Sequence, residues 1–142
     1  MNALQCKSFE ELAFNYSVIK QLYDTDFTYE KYCSLLPDMI SKGYSQIALY
    51  DKEKLIAVSG YWINTKLYTG KYLEIDNFIV DNAHQSKGIG KKLIAEIEKI
   101  ALQNNAKAIV LDAFTTNFSA HKFYFNQGYV PKGFHFVKFF DS

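Results

Sequence analysis

At 142 residues, with 22% charged and 49% hydrophobic side chains, the chain has globular composition and the length of one domain that buries a layered core without disulfides or metal. Its formal net charge of +1 supplies no global field for nucleic acid or an anionic membrane, so neither is expected as a partner. No apolar run approaches the roughly 20 residues that span a bilayer, and the opening MNALQCKSFEEL has neither a basic leader nor an apolar h-region. Cys6 and Cys33 make no framework and no CxxC pair, which fits reduced thiols in a cytoplasmic protein. Aromatic residues reach 17%, with 11 Tyr and 12 Phe, and a Phe/Tyr-rich core accounts for them more simply than an aromatic-lined cleft.

Residues 3–8 are compatible with a short first strand. Ser8 and Glu11 spell a capping box, and Leu12, Tyr16, Ile19 and Tyr23 recur at helical spacing, which predicts one amphipathic helix up to residue 23. Asp24, Thr25 and Asp26 interrupt it. Helical periodicity resumes from Thr28 through Tyr32, Leu35, Leu36, Met39 and Ile40. Pro37 predicts a kink or two short helices there, and Gly43 a C-cap. The period then switches to two. Residues 44–51 and 55–64, joined by a polar turn, read as a hairpin in which Gly60 marks a bulge.

A second turn around Gly70 leads to a strand over 72–80, completing an antiparallel meander. Residues 88–104 read as a helix and 108–114 as a strand buried on both faces. Strands 72–80 and 108–114 are therefore expected to be parallel neighbours with a right-handed crossover. Thr116 or Asn117 caps a last helix that Gly128 stops. Weak alternation around Pro131 and Gly133 predicts one or two terminal strands. The order makes an α/β fold, a three-layer α+β sandwich around a mixed sheet, in a single domain over residues 1–142.

Residues 73–95, LEIDNFIVDNAHQSKGIGKKLIA, carry the most chemistry. Two glycines, Gly88 and Gly90, alternate with other residues directly before a helix. Glycine lets the backbone turn tightly and aim several N–H groups at one point. The first helical turn adds unpaired N–H groups and the positive end of the macrodipole. Such a loop suits a diphosphate, with Lys87, Lys91 and Lys92 adding positive charge; a solvated basic helix start is the other reading. A Walker loop fails because Lys92 follows Lys91 where Ser or Thr is required, and a Rossmann fingerprint fails because Leu93 holds the third glycine position.

The spelling Q/R-x-x-G-x-G/A fits without exception. Downstream stands N-x-x-A-x-x-F-Y-x-x-x-G-Y, made by Asn117, Ala120, Phe123, Tyr124, Gly128 and Tyr129. With the meander before the loop and the parallel strand after it, these motifs make the chain resemble the GNAT superfamily of acetyl-CoA-dependent N-acetyltransferases. The resemblance runs from residue 44 to the C-terminus and is strongest over 72–129. It implies a GNAT-like, mostly antiparallel sheet with a central parallel pair, and acetyl-CoA (coenzyme A) as co-substrate. It further implies acetyl transfer to a primary amine, directly in a ternary complex. It puts the pyrophosphate on Gln85, Ser86, Lys87, Gly88, Ile89, Gly90 and Lys91, and the pantetheine along the main chain of Phe78, Ile79 and Val80. Asn117 matches a position that touches the pantetheine, and Tyr124 a tyrosine that protonates the departing thiolate. The oxyanion is expected to meet backbone N–H groups near Phe78, where a strand bulge would expose them.

Strand parity puts Glu74 and Asp76 on one face, about 6.5 to 7 Å apart. Two carboxylates that close raise the pKa of at least one towards the range of a general base. Some members of the family place a glutamate base at the offset from the loop glutamine that Glu74 occupies. Glu74, Asp76 and water all remain open as the base. Tyr124 shares a helical face with His121 and Asn117. His84, His121 and His135 share no metal-ligand spacing, so no metal is expected. The acceptor is a small-molecule or peptide amine of unspecified identity, and both a monomer and a homodimer fit. The alternative on the same fold is a non-catalytic acyl-CoA-binding or sensing module.

Overall fold

The computed structural model describes residues 1–85 and 87–141, in two compact units, Met1–Leu111 and Asp112–Ser142. The first unit contains a five-stranded sheet in the order β1 (Asn2–Cys6), β2 (Ser45–Asp51), β3 (Lys54–Lys66), β4 (Gly70–Val80) and β5 (Ala108–Leu111). The first three pairings are antiparallel and β4–β5 is parallel, which is the mixed sheet with a parallel pair that the sequence predicts. The sheet is covered on both faces. Tyr44, Ala48 and Val58 pack with Leu12, Val18, Ile19, Tyr32 and Leu36 from the helices α1 (Phe9–Phe14), α2 (Tyr16–Ile19) and α3 (Tyr29–Ser41). The alternate residues Ile47, Leu49 and Ala57 are buried as well. Helix α4 (Ile89–Gln103) packs on β2 to β5 and buries Ile89, Leu93, Ile94, Ile97 and Ile100. Double coverage explains why β2, read as a strand of period two, is buried at five consecutive positions from Ser45 to Leu49. The strand expected over 108–114 is shorter, Ala108–Leu111, and only partly buried, because it lies at the edge of the sheet.

Two expectations about the N-terminal helices need correction. The single helix up to residue 23 is instead α1, α2 and a 3-10 turn at Lys20–Leu22, although the Ser8–Glu11 capping box that opens it is present. The break falls at Asn15, which is 1% exposed and donates from Nδ2 to Oε1 of Gln46 on β2 at 2.8 Å. The amide nitrogen thus finds its partner across the core, while its Oδ1 is buried without a hydrogen-bond partner among the described residues. Of the two alternatives expected around Pro37, a kink or two short helices, the second does not form: Tyr29–Ser41 is one helix, α3. Proline has a helical φ and removes a single N–H, and the buried Tyr32 and Leu36 anchor the helix on the sheet side of that gap. Gly43, at φ 99, ends it as expected.

In the second unit, α5 (Phe118–Asn126) is capped by Asn117 and stopped at Gly128, φ 89. The predicted terminal strands do not form: residues 129–141 carry no strand, and Phe134, Phe136, Phe139 and Phe140 are 82–90% exposed. Pro131 supplies no N–H to a ladder and Gly133 no packing side chain, and no described strand pairs with this segment. No helix among the described residues is long and apolar enough to cross a membrane.

Candidate active site

Strand β5 pairs with β4 only from Tyr72–Ala108 to Ile75–Leu111, whereas β4 continues alongside β3 as far as Val80. In this overhang the register slips. Gly60 faces Asp76 and Val58 faces Ile79, so Ser59 alone stands opposite Asn77 and Phe78. That is a β-bulge, with Asn77 at φ 59, a left-handed conformation that asparagine tolerates better than most residues. The expected bulge near Phe78 is present. The one expected at Gly60 lies across from it, with the extra residue in β4.

Glu74 faces Trp62 and Asp76 faces Gly60, so the two carboxylates share one face of the sheet, as parity predicts. Trp62 Nε1 donates to Asp76 Oδ2 at 3.1 Å, and its ring lies 5.0 Å from that of Tyr44. Tyr44 donates its O–H to Asn77 Oδ1 at 2.7 Å, and Asn77 Nδ2 donates to Tyr23 Oη at 2.6 Å. Beneath them Gln46 Nε2 donates to Tyr44 Oη at 3.2 Å and to Tyr32 Oη at 3.0 Å. Burial pushes the Tyr44 phenol far up and that of Tyr32 up to about 12, so both are neutral hydrogen-bonding groups at any physiological pH. Burial and the Asp76 charge push Tyr23 up as well, against a smaller opposing effect of Asn77.

Sequence reasoning placed Tyr23 on the apolar face of the N-terminal helix and did not single out Tyr44, Trp62 or Asn77. Trp62 was within reach, because the hairpin register places the only tryptophan opposite Glu74. The meeting of Tyr23 and Tyr44 at Asn77 was not, since spacing does not reveal which rings meet a distant strand.

Beyond Val80 the chain enters the glycine loop. Asp81 accepts from Gln21 Nε2 at 2.7 Å and pairs with His84 Nδ1 at 2.9 Å, while the Asn82 N–H donates to Gln21 Oε1 at 2.9 Å. The Gln21 bond, then the His84 bond, hold the Asp81 carboxyl below its usual value. Gln85 Nε2 reaches Asn82 Oδ1 at 3.2 Å. Ser86, a predicted contact, lies outside the described residues. Gly88 is the N-cap of α4 at φ 74, with open space where a Cβ would stand. Among the described residues no side chain caps the helix, and Lys87 and Lys91 stand exposed beside it. This arrangement fits a diphosphate. Ile89 can offer only its backbone, because its side chain is buried.

Asn117 and Tyr124 belong to the second unit. Asn117 Oδ1 accepts from the Ala120 N–H and the Ser119 hydroxyl, both at 3.1 Å, so its oxygen serves the cap of α5. The Tyr124 ring meets Phe123 at 5.2 Å and Tyr129 at 5.7 Å, both edge-on. Burial, with Tyr129 beside it, pushes the Tyr124 phenol up. Among the described residues no group of three His, Cys, Asp or Glu side chains is placed to hold a metal.

Comparison with known proteins adds a family match: residues 9–129 fit the acetyltransferase (GNAT) family. Solved structures superpose over nearly the whole chain. A ribosomal-protein-alanine N-acetyltransferase from Brucella melitensis biovar Abortus 2308 gives a TM-score of 0.81 at 17% identity, covering 99% of each chain. An aminoglycoside acetyltransferase from an uncultured soil metagenomic sample gives 0.80 at 15% identity, covering 99% of this chain and 96% of the other. The glucosamine-6-phosphate N-acetyltransferase of Arabidopsis thaliana gives 0.72 at 19%, covering 99% and 100%. At such identities the likeness speaks for the fold, and the three differ in the acceptors they are named for.

Proposed function

Since the chain belongs to the acetyltransferase (GNAT) family, we propose that it is an acetyl-CoA-dependent N-acetyltransferase, moving the acetyl group to a primary amine of a small molecule or peptide by direct transfer in a ternary complex. The observation that carries this reading is the left-handed Gly88 at the N-cap of α4, with open space where a Cβ would stand. When bound, acetyl-CoA supplies the activated thioester. Gln85, Ser86, Lys87, Gly88, Ile89, Gly90 and Lys91 would hold its pyrophosphate, and Asn117 with the main chain of Phe78, Ile79 and Val80 its pantetheine arm.

An ammonium cannot attack a thioester, so one proton must first leave. Glu74 is the preferred acceptor of that proton, with Asp76 and water the other candidates. The Trp62 bond to Asp76 Oδ2 fixes the orientation of the second carboxylate. Tyr124 is the proposed proton donor to the thiolate. Burial keeps this phenol protonated, so it is available to hydrogen-bond the departing thiolate; the same shift makes it a weaker acid, so the proton would pass only after the thiolate charge has fully developed. The same reading takes residues 1–142 as one domain acting in the cytoplasm.

The test is thermal. At about a hundredfold excess over Kd, CoA or acetyl-CoA should stabilise the protein by about 2.7 kcal/mol, a shift of several degrees in Tm. Gly88→Glu should abolish the shift, measured against the variant's own baseline, because it sets a carboxylate in the open space of the loop. No shift with the wild type would remove the co-substrate. Release of free CoA is then followed with polyamines, aminoglycosides, amino acids, amino sugars and peptide N-termini. Binding without release from any of them would favour the sensing module.

A further inference from the structure

We propose that Asn77 is a positioning residue: Tyr44 from the core and Tyr23 from the N-terminal helical segment grip its side-chain amide, and this grip holds the β4 bulge that sets Glu74 and Asp76 relative to Phe78, Ile79 and Val80. The proposal rests on the acetyltransferase reading of the same strand.

The bulge changes which residues share a face. In an unbroken strand Phe78 and Val80 would follow Glu74 and Asp76 on the side of the N-terminal helices. With the extra residue at 77, Ile79 takes that side and packs against the helical cluster. A slip that removed the bulge would exchange the two faces of the strand end along which the pantetheine is proposed to run. The geometry of the carboxylates relative to that strand end therefore depends on Asn77 staying where it is.

A left-handed conformation at a residue with a Cβ is disfavoured and persists when the surroundings over-determine it. Here they do. The carbonyl of the Asn77 side chain accepts from Tyr44, and its amide donates to Tyr23. The Tyr44 hydroxyl accepts from the fully buried Gln46, which directs its proton towards Asn77. Hydrogen bonds thus run in one direction, from Gln46 through Tyr44 and Asn77 to Tyr23.

Gly60 is an independent part of the same device. A Cβ there would overlap the Tyr44 hydroxyl and stand 2.6 Å from its Cε1 and 2.7 Å from the Asp76 carbonyl oxygen. Glycine at 60 is what lets the tyrosine ring reach beneath the bulge. On the outer side, Tyr23 packs on Phe27 at a ring distance of 4.5 Å, so the chain between the 3-10 turn and α3 is joined to β4 through Asn77.

The test compares amide hydrogen exchange on the two sides of the bulge in the full chain. Tyr44→Phe removes one hydroxyl and keeps the ring. Asn77→Gly keeps the left-handed backbone and removes the grip, and it carries the comparison if Tyr44→Phe does not fold. Exchange at Ile79 and at Asp81, whose N–H donates to the Ile56 carbonyl at 2.8 Å, should accelerate about fivefold while Ile75 stays within about twofold. In the same variants kcat should fall about tenfold, with the Kd of acetyl-CoA changed by less than about threefold. Unchanged exchange beyond the bulge, equal acceleration at Ile75, or a loosened bulge with unchanged kcat would each overturn the proposal. A wild type that acetylates no amine would instead remove the acetyltransferase reading, and exchange would still decide whether the grip exists.

Discussion

The roles proposed for Tyr124 and Glu74 are two separate proton movements, and single-atom changes distinguish them. Tyr124→Phe removes only the hydroxyl. Because burial holds that phenol above its ordinary value, it is protonated throughout an assay range and its loss should introduce no new limb in the pH profile. Turnover should drop about a hundredfold with little change in acetyl-CoA affinity, and an unchanged rate with every acceptor would remove the acid role. Glu74 is tested through pH. A general base works deprotonated, so the rate must fall as pH drops through its pKa. Glu74→Gln is expected to abolish that dependence of kcat/KM; a surviving limb would move the base to Asp76 or water. Neither residue needed the structure to be named. The residues around Asp76 and the β4 bulge did: Tyr44 and Asn77 lie far apart in sequence and meet through strand pairing, which no local pattern encodes, and Trp62 reaches Asp76 across the same pairing.

At the scale of elements, the glycine loop is tied to the N-terminal helices by one side chain. Gln21 accepts from the Asn82 N–H and donates to Asp81, so Gln21→Ala breaks both bonds. Its KM for acetyl-CoA should rise about fivefold, as read from initial rates; no change would make the tether irrelevant to the loop. Asp81 adds a pH signature. A carboxyl whose folded pKa is depressed contributes stability above its unfolded value, and that contribution is lost as pH falls through the folded one. Melting temperatures of wild type and Asp81→Asn should therefore differ by a constant amount above the ordinary 3.8 and converge below it. The elements themselves were largely legible, because sheet and helices alternate with clear periods and caps. The exceptions share a cause. Asn15 breaks a helix for a partner on β2, Pro37 is carried by the packing of its helix, and residues 129–141 have strand-like alternation but no ladder partner. Each outcome is decided by tertiary contacts that periodicity does not contain.

For the whole molecule, the family match spans residues 9–129 and so includes parts of both compact units. If residues 1–142 act as one domain, far-UV and near-UV signals should melt in a single coincident transition, and saturating CoA should move it as one. Two separable transitions would make Asp112–Ser142 an independent unit. The proposed co-substrate could be named from the chain because the motif that suggests it is one continuous run, residues 85–91. The acceptor could not, because no such run points to it, and the structural relatives are named for unlike acceptors.

The contact between Gly60 and Tyr44 also restricts how this sequence can drift. Any side chain at position 60 would stand within 3 Å of the ring and of the Asp76 carbonyl, so a substitution there requires both to move. A lineage that gains alanine at 60 is expected to have lost the ring at 44 first and let the strand beside it relax. The two positions would then form an ordered pair in evolutionary time, with the tyrosine changing before the glycine.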